Sequence, residues 1–289
     1  MPKRLLQKIT LPLVKDSVKW SMAIIGLLST AMGVVGVSLN DLLPWQPSCL
    51  LRLLIFIALF VLLTIVAGFA TYRRSRRGVS LLINGMNVDV VVDNIFMTQG
   101  VKVIPFDEYY DTEVDDIVIS RNSLNGVFIE RYADYETLNR VAAESQRSLL
   151  DSFVDDKGRT RYALGTIKVY GEYALLAFTH MDEMNRAYLR RGQYEKILLN
   201  MWDELDRIYA GRHVVLPLLG SGITRFESGK PSEDDLLRCM LCTLRASKHH
   251  FKNGIEIVLT DKTAERIRLF EVKSYTESWS NTLGEKNDL

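Results

Sequence analysis

Two long apolar segments with no charged residue inside them lie close together near the start of the 289-residue chain. The first covers residues 20–39 and the second covers residues 53–72. A helix of roughly 20 apolar residues, rising ~1.5 Å per residue, crosses the ~30 Å hydrocarbon core of a bilayer. The two segments therefore predict a transmembrane helical hairpin over residues 20–72, which leaves the later part of the chain to fold outside the membrane.

Charged residues on either side of the hairpin predict its orientation. Basic residues outnumber acids before the first segment and directly after the second: Lys3, Arg4, Lys8, Lys15 and Lys19, then Arg73, Arg74, Arg76 and Arg77. Because lysine and arginine favour the cytoplasmic side, we expect a multi-pass membrane protein with both termini in the cytoplasm. Residues 1–19 would be a basic cytoplasmic segment. A cleaved signal peptide fits poorly, because the first segment is too long for one and a second span follows it.

Composition and cysteines exclude several classes of protein. The formal net charge of +1 gives no indication of nucleic-acid binding. Only three cysteines occur, which suits a reducing compartment and no disulfide framework. Cys239 and Cys242 form a single C-x-x-C pair, whereas a finger-like zinc site needs a second pair of ligands. We interpret them as small buried residues of one helix face, and we expect no metal.

The first apolar segment carries small residues at helical spacing. Gly26, Ser29, Gly33 and Gly36 follow one another at steps of three, four and three, which places them on one face. Such a stripe lets helix backbones approach closely in lipid. Two alternatives remain open: the stripe packs against the second helix of the same hairpin, or it mediates membrane assembly between copies of the chain.

The remainder of the chain alternates strand-like and helix-like patterns. Residues 73–80 look like a basic linker, residues 81–275 like one domain and residues 276–289 like a polar tail. The predicted strands are 88–92, 101–106, 126–130, 165–169, 173–178, 213–216 and 255–259, and the predicted helices are 138–153, 194–209, 233–247 with Ser232 as its cap, and 263–272. This alternation predicts a three-layer α/β/α domain with a mixed sheet.

A glycine-rich loop follows the buried strand at residues 213–216. Its sequence from Pro217 is PLLGSGITRF. The carboxyl edge of an open α/β sheet is where such folds bind ligands. Glycines on both sides of Ser221 allow backbone N–H groups to converge on an anion, which predicts a phosphate-binding nest.

Three segments, in this order along the chain, resemble Thoeris anti-phage effectors of the membrane-anchored, ThsA-like branch (type II), which carry a macro-like domain after two transmembrane helices. They are VIPFDEYYDTEVDDIVISRNSLNG from Val103, THMDEMNRAYL from Thr179 and MWDELDRIYAGRHVVLPLLGSGITRF from Met201. The resemblance covers essentially the whole chain. It implies a macro-like α/β/α fold that binds an ADP-ribose derivative.

The resemblance also implies a biological role. In that system a partner protein with a TIR domain consumes NAD and makes a nucleotide messenger, which for this branch is histidine–ADP-ribose. The chain would bind it without a further cofactor, form homo-oligomers and disrupt the bacterial inner membrane, so that infection is abortive. No catalytic residue is implied.

The resemblance carries binding roles over only at matching positions. Asn94 stands where macro domains have the acid that recognises adenine, and Asp107 and Glu108 match contacts to the distal ribose or its substituent, although both could equally be solvated loop acids. Asn185 and Arg186, close to His180, either line the pocket or begin a helix. The matching ligand-binding positions are Asn94, Ile95, Asp107, Glu108, Ser123, Leu124, Asn125, Gly126, Leu219, Gly220, Ser221, Gly222, Ile223, Thr224, Arg225 and Phe226.

Two other functions remain open. Some macro domains hydrolyse ADP-ribose adducts, and Asp107 or Glu108 could serve as a general base for that reaction. The chain could also be a membrane-tethered scaffold without a small ligand. Stabilisation of the protein by an ADP-ribose derivative would exclude the scaffold.

Overall fold

The computed structural model describes residues 11–36, 48–75, 78–116, 118–144, 148–190, 192–227, 229–269 and 271–272. The chain divides into two compact units. One unit comprises residues 1–78 and 268–289, and the other comprises residues 79–267. The predicted polar tail, residues 276–289, lies outside the described residues.

Two helices of the first unit are long and apolar enough to cross a membrane. Helix α1 spans Leu11–Val35 and α2 spans Cys49–Ser75. Their apolar stretches, Ser17–Val35 and Leu50–Ala70, meet that criterion by length and composition. Most of their apolar side chains are exposed, as expected of helices that face lipid rather than a protein core. The predicted hairpin is thus present as two helices, although residues 37–47 between them are not described.

The contact between α1 and α2 uses small polar residues. Ser17 and Ser21 are buried, and Thr64 Oγ1 donates to Ser21 Oγ at 3.2 Å. A side chain added at Gly68 would lie 3.1 Å from Ser17 Oγ. Close approach of the two helices therefore depends on these positions.

The predicted assembly stripe does not take part in that contact. Gly26, Ser29, Gly33 and Gly36 are all exposed, and a side chain at any of the three glycines would meet nothing within 4 Å. Among the described residues, packing inside the hairpin is thus made elsewhere on α1, and the stripe remains open for a contact of another kind.

The second unit is built on a large mixed sheet. Its strands are β1 Gly78–Ile83, β2 Met86–Val92, β3 Val101–Asp107, β6 Ile167–Tyr170, β7 Tyr173–Met181, β8 Ala187–Leu189, β9 Val214–Pro217, β10 Arg225–Phe226 and β11 Ile255–Leu259. They lie in the order β1-β2-β11-β9-β3-β7-β8-β10, and β6 pairs with β7. Neighbours from β2 to β7 are parallel, whereas β6 and β8 are antiparallel to β7. β4 Ser152–Val154 and β5 Thr160–Tyr162 form a separate antiparallel pair.

Helices cover both faces of this sheet. They are α3 Leu124–Arg131, α4 Tyr135–Ala143, α5 Gln193–Ile208, α6 Glu233–Ser247 and α7 Asp261–Ala264. Leu175 of β7 packs in one buried cluster with Phe128 of α3 and Leu138 of α4. Phe178, three residues further along β7, contacts the ring of Tyr194 in α5. Because successive side chains of a strand point to opposite faces, α3 and α4 lie on one side of the sheet and α5 on the other. The α/β/α fold with a mixed sheet is confirmed.

Most predicted elements occur at the expected places. The predicted strands 88–92, 101–106, 165–169, 173–178, 213–216 and 255–259 correspond to β2, β3, β6, β7, β9 and β11, and the helices 194–209 and 233–247 correspond to α5 and α6. Ser232 Oγ caps α6 by accepting from the N–H of Asp235 at 3.1 Å. Residues 73–75 of the predicted linker belong to α2, and β1 begins at Gly78.

Three predicted elements were wrong. Residues 126–130, predicted as a strand, belong to α3, because Ser123 caps a helix there. The helix predicted over 138–153 ends at Ala143, where Glu144 turns to extended backbone, and β4 follows. The helix predicted over 263–272 is interrupted: a short helix begins at Asp261, where Thr260 caps it, and ends at Ala264, and residues 269, 271 and 272 are helical again.

A cleft at the carboxyl ends of the parallel strands

A cleft of about 930 Å³ opens where the parallel strands end. Segments that follow β2, β3, β9 and β11 line it, together with the start of α3 and the end of β7. The carboxyl edge of an open α/β sheet is the usual ligand site of such folds. Of the predicted binding positions, the cleft brings together Asn94, Ile95, Asp107, Ser123, Leu124, Asn125, Leu219, Gly220, Ser221, Gly222, Ile223 and Thr224.

The glycine loop forms one wall of the cleft. The fold requires glycine at one of its two glycine positions but not at the other. Gly220 has φ +81°, and a side chain there would lie 3.1 Å from the ring of Phe226. Both the backbone and the packing therefore demand glycine at this position. Gly222 has an ordinary φ and open space around it, so folding does not require it.

Backbone amides are the free hydrogen-bond donors of this loop. The hydroxyl and N–H of Ser221 both donate to the carbonyl of Leu218, at 2.6 Å and 3.3 Å. Among the described residues, the N–H groups of Gly222 and Ile223 have no acceptor. Two neighbouring free amides at a concave surface attract an anion.

The start of α3 supplies donors from another wall of the cleft. The Ser123 hydroxyl donates to Ser120 O and accepts from Gly126 N–H, so it serves as a cap. Gly126 lies outside the cleft lining and is required because a side chain there would meet the backbone oxygen of Ser120. The N–H groups of Leu124 and Asn125 have no acceptor among the described residues. A helix N-terminus with free amides favours an anionic ligand.

Asn94 lines the cleft, but its side chain already has a backbone partner. Its Oδ1 accepts from Phe96 N–H at 3.1 Å, while its own N–H donates to Asp93 Oδ1 at 2.6 Å. Asp93 also lines the cleft and is exposed. A carboxylate of the cleft therefore lies one residue before the position where the resemblance to macro domains expects an acid.

Asp107 and Glu108 are adjacent in sequence but have separate environments, and neither is a solvated loop acid. Asp107 lines the cleft and is buried, with its Oδ1 accepting from Tyr109 N–H at 2.7 Å. Burial, and next the nearby Asp111 carboxylate, raise the pKa of Asp107 to about 7.

Glu108 is held by a buried network outside the cleft lining. Its carboxylate accepts from the Arg161 guanidinium and from His180 Nδ1, the latter at 2.6 Å. Gln193 Nε2 lies 3.2 Å from His180 Nε2, and Arg161 Nη2 lies 2.9 Å from the Nδ1 that faces Glu108, so side chains hold the ring at both nitrogens. Burial alone would raise the pKa of Glu108, but the hydrogen bonds from His180 and Arg161 together hold it below its usual value. Glu108 is therefore a structural anion rather than a free general base.

The raised pKa of Asp107 predicts a pH-dependent gain from Asp107→Asn. A carboxyl with a folded pKa near 7 and an ordinary value of 3.8 stabilises the fold below pH 4, and this contribution is lost as the pH rises through 7. Asparagine can still accept from Tyr109 N–H without bearing charge. We expect the variant to melt at a higher temperature than the parent at pH 8, by the equivalent of on the order of a few kcal/mol, and the gain to vanish near pH 4.

Melting curves of the full chain in detergent between pH 4 and pH 8 measure this gain. Asp151→Asn, at an exposed position, is the control for removing one carboxylate. A difference between Asp107→Asn and the parent that does not change with pH would contradict the assignment.

Four predicted positions and three neighbours lie outside the cleft lining. These predicted positions are Glu108, Gly126, Arg225 and Phe226. Arg225 and Phe226 form β10, parallel to β8, and Phe226 closes over Gly220. His180 belongs to the Glu108 network, whereas Asn185 and Arg186 are exposed in the turn before β8.

The sequence also missed part of the cleft. The end of β11 and the residues that follow it, 258–263, line one side together with Glu233 and Arg266, and Phe178, Thr179, Met181 and Ala187 line another. The first group lies at the end of a strand that the pattern predicted, so its place at the carboxyl edge could have indicated it. Phe178 of β7 gave no such signal, because the β-strand pattern marks it only as core, whereas Thr179, Met181 and Ala187 lie in the segment from Thr179 that resembles the family.

The cysteine pair does not form a site. Burial, and next the neighbouring Glu195, raise the pKa of the Cys239 thiol to about 12, and Cys242 is exposed. Cys239 is only partly buried, so the interpretation of both as buried residues was wrong. Within the described part of the chain, no group of three or more histidine, cysteine or acidic side chains could hold a metal ion.

Comparison with known proteins shows which family the chain belongs to. The model of the ThsA macro domain of Thoeris proteins matches residues 88–260, more than half of the chain. The chain belongs to the Thoeris ThsA macro-domain family. Thoeris protein ThsA of Bacillus amyloliquefaciens (strain Y2) is 30% identical in an alignment of 280 residues that covers 92% of this chain and 92% of that protein. This coverage is wider than the residues 88–260 that the macro-domain model matches.

Solved structures with some likeness to the chain include macrodomains. Two mutants of the Oceanobacillus iheyensis macrodomain match with a TM-score of 0.40 each and 12% and 11% identity. They cover 70% of this chain, and the chain covers 94% and 98% of theirs.

Proposed function

We propose that this chain is an anti-phage defence effector whose macro-like domain binds histidine–ADP-ribose, a messenger made by a partner protein with a TIR domain. Binding makes copies of the chain oligomerise, and the N-terminal helices then disrupt the cell membrane. The chain acts as a receptor and does not turn the messenger over.

One observation carries the proposal: free backbone amides of two separate segments line the same cleft. The amides of Gly222 and Ile223 come from the glycine loop, and those of Leu124 and Asn125 come from the start of α3. Backbone N–H groups of this kind match a diphosphate without adding a charged side chain. Acids at Asp93 and Asp107 suit the two polar ends of an ADP-ribose derivative, since carboxylates accept from amino and hydroxyl groups.

The pairing of this cleft with membrane-type helices supports an effector role. A soluble receptor needs no such helices, whereas a chain that responds to a nucleotide by disrupting a bilayer needs both parts. Two apolar helices bring copies into one plane, where ligand-dependent contacts between domains raise their effective concentration.

The test uses the full chain in liposomes loaded with a self-quenched dye. We expect histidine–ADP-ribose to release the dye and to raise the melting temperature, since ligand at ~100 times Kd adds ~2.7 kcal/mol. Adenosine serves as the control that lacks phosphates. Absence of both responses for histidine–ADP-ribose and for ADP-ribose would exclude the proposal and favour the ligand-free scaffold.

Hydrolysis of ADP-ribose adducts is the second candidate, and one observation favours it. Asp107 is a cleft carboxyl with a pKa near 7, which is the range of an effective general base at neutral pH. Chromatography of histidine–ADP-ribose after incubation with the chain distinguishes the two functions. Histidine–ADP-ribose that remains intact after prolonged incubation supports the receptor function. Conversion to ADP-ribose by the parent, but not by Asp107→Asn, would establish the hydrolase function.

A further inference from the structure

A lysine behind the glycine loop binds two of its carbonyl groups. Lys230 Nζ donates to the backbone oxygen of Ser221 at 2.7 Å and to that of Gly222 at 2.6 Å. Lys230 is exposed and does not line the cleft. It therefore acts on the loop from outside the site.

Peptide geometry relates these carbonyls to the free amides. The described peptide bonds are trans, and in a planar trans peptide the C=O and the N–H point in opposite directions. The carbonyl of Ser221 shares its peptide plane with the N–H of Gly222, and the carbonyl of Gly222 shares its plane with the N–H of Ile223. Both carbonyls point toward the same ammonium group, so both N–H groups point away from Lys230.

We propose that Lys230 is a positioning residue that holds the Gly222 and Ile223 amides ready for the diphosphate of the ligand. This inference rests on the proposed function, because it concerns the phosphate-binding end of the same cleft. Gly222 has no side chain or unusual backbone angle to fix these two peptide planes, so the hydrogen bonds from Lys230 fix them. A loop ordered before binding loses less conformational freedom when the ligand arrives, which increases affinity.

The groups around Lys230 indicate that it positions the loop rather than attracting phosphate through its charge. The ammonium group donates to two carbonyls. Burial alone would raise the pKa of Glu233, but its hydrogen bond from Arg266 and, to a smaller extent, the charge of Lys230 hold this pKa below its usual value. Glu233 lines the cleft and pairs with Arg266 at 2.8 Å. Part of the lysine charge is thus balanced locally, and its contribution to affinity should come mainly through the geometry of the loop.

The test measures calorimetric binding to the full chain in nanodiscs, with histidine–ADP-ribose, inorganic pyrophosphate and adenosine as ligands. We expect Lys230→Met to weaken binding of the two phosphate ligands by about tenfold or more and to leave adenosine unchanged. Lys230→Arg, which can donate to both carbonyls, should restore most of the affinity. Lys252→Met, which removes an exposed lysine just before β11, is the charge control and should bind like the parent.

Two further readouts separate positioning from charge. The loss in Lys230→Met should persist at 0.5 M salt, because salt screens exposed charges but does not restore a loop conformation. Deuterium exchange of the segment 218–226 without ligand should become faster in Lys230→Met and stay unchanged in Lys252→Met. Unchanged exchange, or a loss of affinity that salt abolishes, would overturn the positioning role.

Failure of the proposed function would look different. If the parent binds pyrophosphate in a Lys230-dependent manner but does not bind histidine–ADP-ribose, the messenger is wrong and the positioning role stands. If the parent binds histidine–ADP-ribose and Lys230→Met binds both phosphate ligands as tightly as the parent, the function stands and the positioning role is wrong.

Discussion

Replacing Gly222 with glutamate should abolish binding of ADP-ribose derivatives while the protein remains folded. The position is open, with no atom within 4 Å of an added Cβ and no left-handed backbone to strain. A carboxylate about 5 Å from the diphosphate costs about 3 kcal/mol at an effective dielectric constant near 20. This corresponds to at least roughly 100-fold weaker binding, measured by calorimetry with the full chain.

The matched control for this variant is Gly222→Gln. Glutamine has the same size as glutamate but no charge, so the difference between the two variants isolates repulsion of phosphate from obstruction of the loop. We expect Gly222→Gln to bind at least about tenfold more tightly than Gly222→Glu. Equal affinities of Gly222→Glu and the parent would show that no phosphate lies near this loop.

Replacing Gly33 with leucine should abolish dye release from liposomes and leave ligand binding unchanged. Gly33 is exposed on α1, away from the buried Ser17 and Ser21 that contact α2. A leucine there leaves the hairpin contact intact but prevents the backbones of two copies from approaching along the stripe of Gly26, Ser29, Gly33 and Gly36. We expect release to fall by about tenfold or more, because close packing rather than hydrophobicity holds helices together in lipid.

Ala31→Leu is the control for added bulk on the same helix. Ala31 is exposed and lies two residues from Gly33, so the two side chains do not share a face. Ala31→Leu should release dye like the parent. Undiminished release by Gly33→Leu would exclude the stripe as the contact between copies.

Sequence reasoning recovered the elements whose patterns are strong. The β-branched runs predicted β2 and β11, and the apolar face of residues 194–209 predicted α5. These predictions succeeded because the spacing of apolar residues reflects which side chains are buried. Sequence reasoning failed at 126–130, where the apolar residues Val127, Phe128 and Ile129 resemble a strand. The cap at Ser123 begins a helix at Leu124, and this local signal outweighs the apolar run.

The site could be predicted in part for a comparable reason. The glycine loop has a local signature after a predicted strand, so its place in the cleft followed from the sequence, whereas residues 123–126 were included only through the resemblance to macro domains. The separation of Asp107 from Glu108 did not follow from the sequence, because it depends on Arg161 and His180, which are distant in sequence and reach only one of the two carboxylates. Lys230 was missed because an exposed lysine has no pattern, and only coordinates show which carbonyls it binds.

The most direct test of the central claim is an experimental structure of the full chain with histidine–ADP-ribose. The account predicts the diphosphate in the cleft, with phosphate oxygens within hydrogen-bonding distance of the Gly222 and Ile223 amides on one side and of the α3 amides on the other. A ligand bound elsewhere on the chain, with both sets of amides still unoccupied, would contradict it.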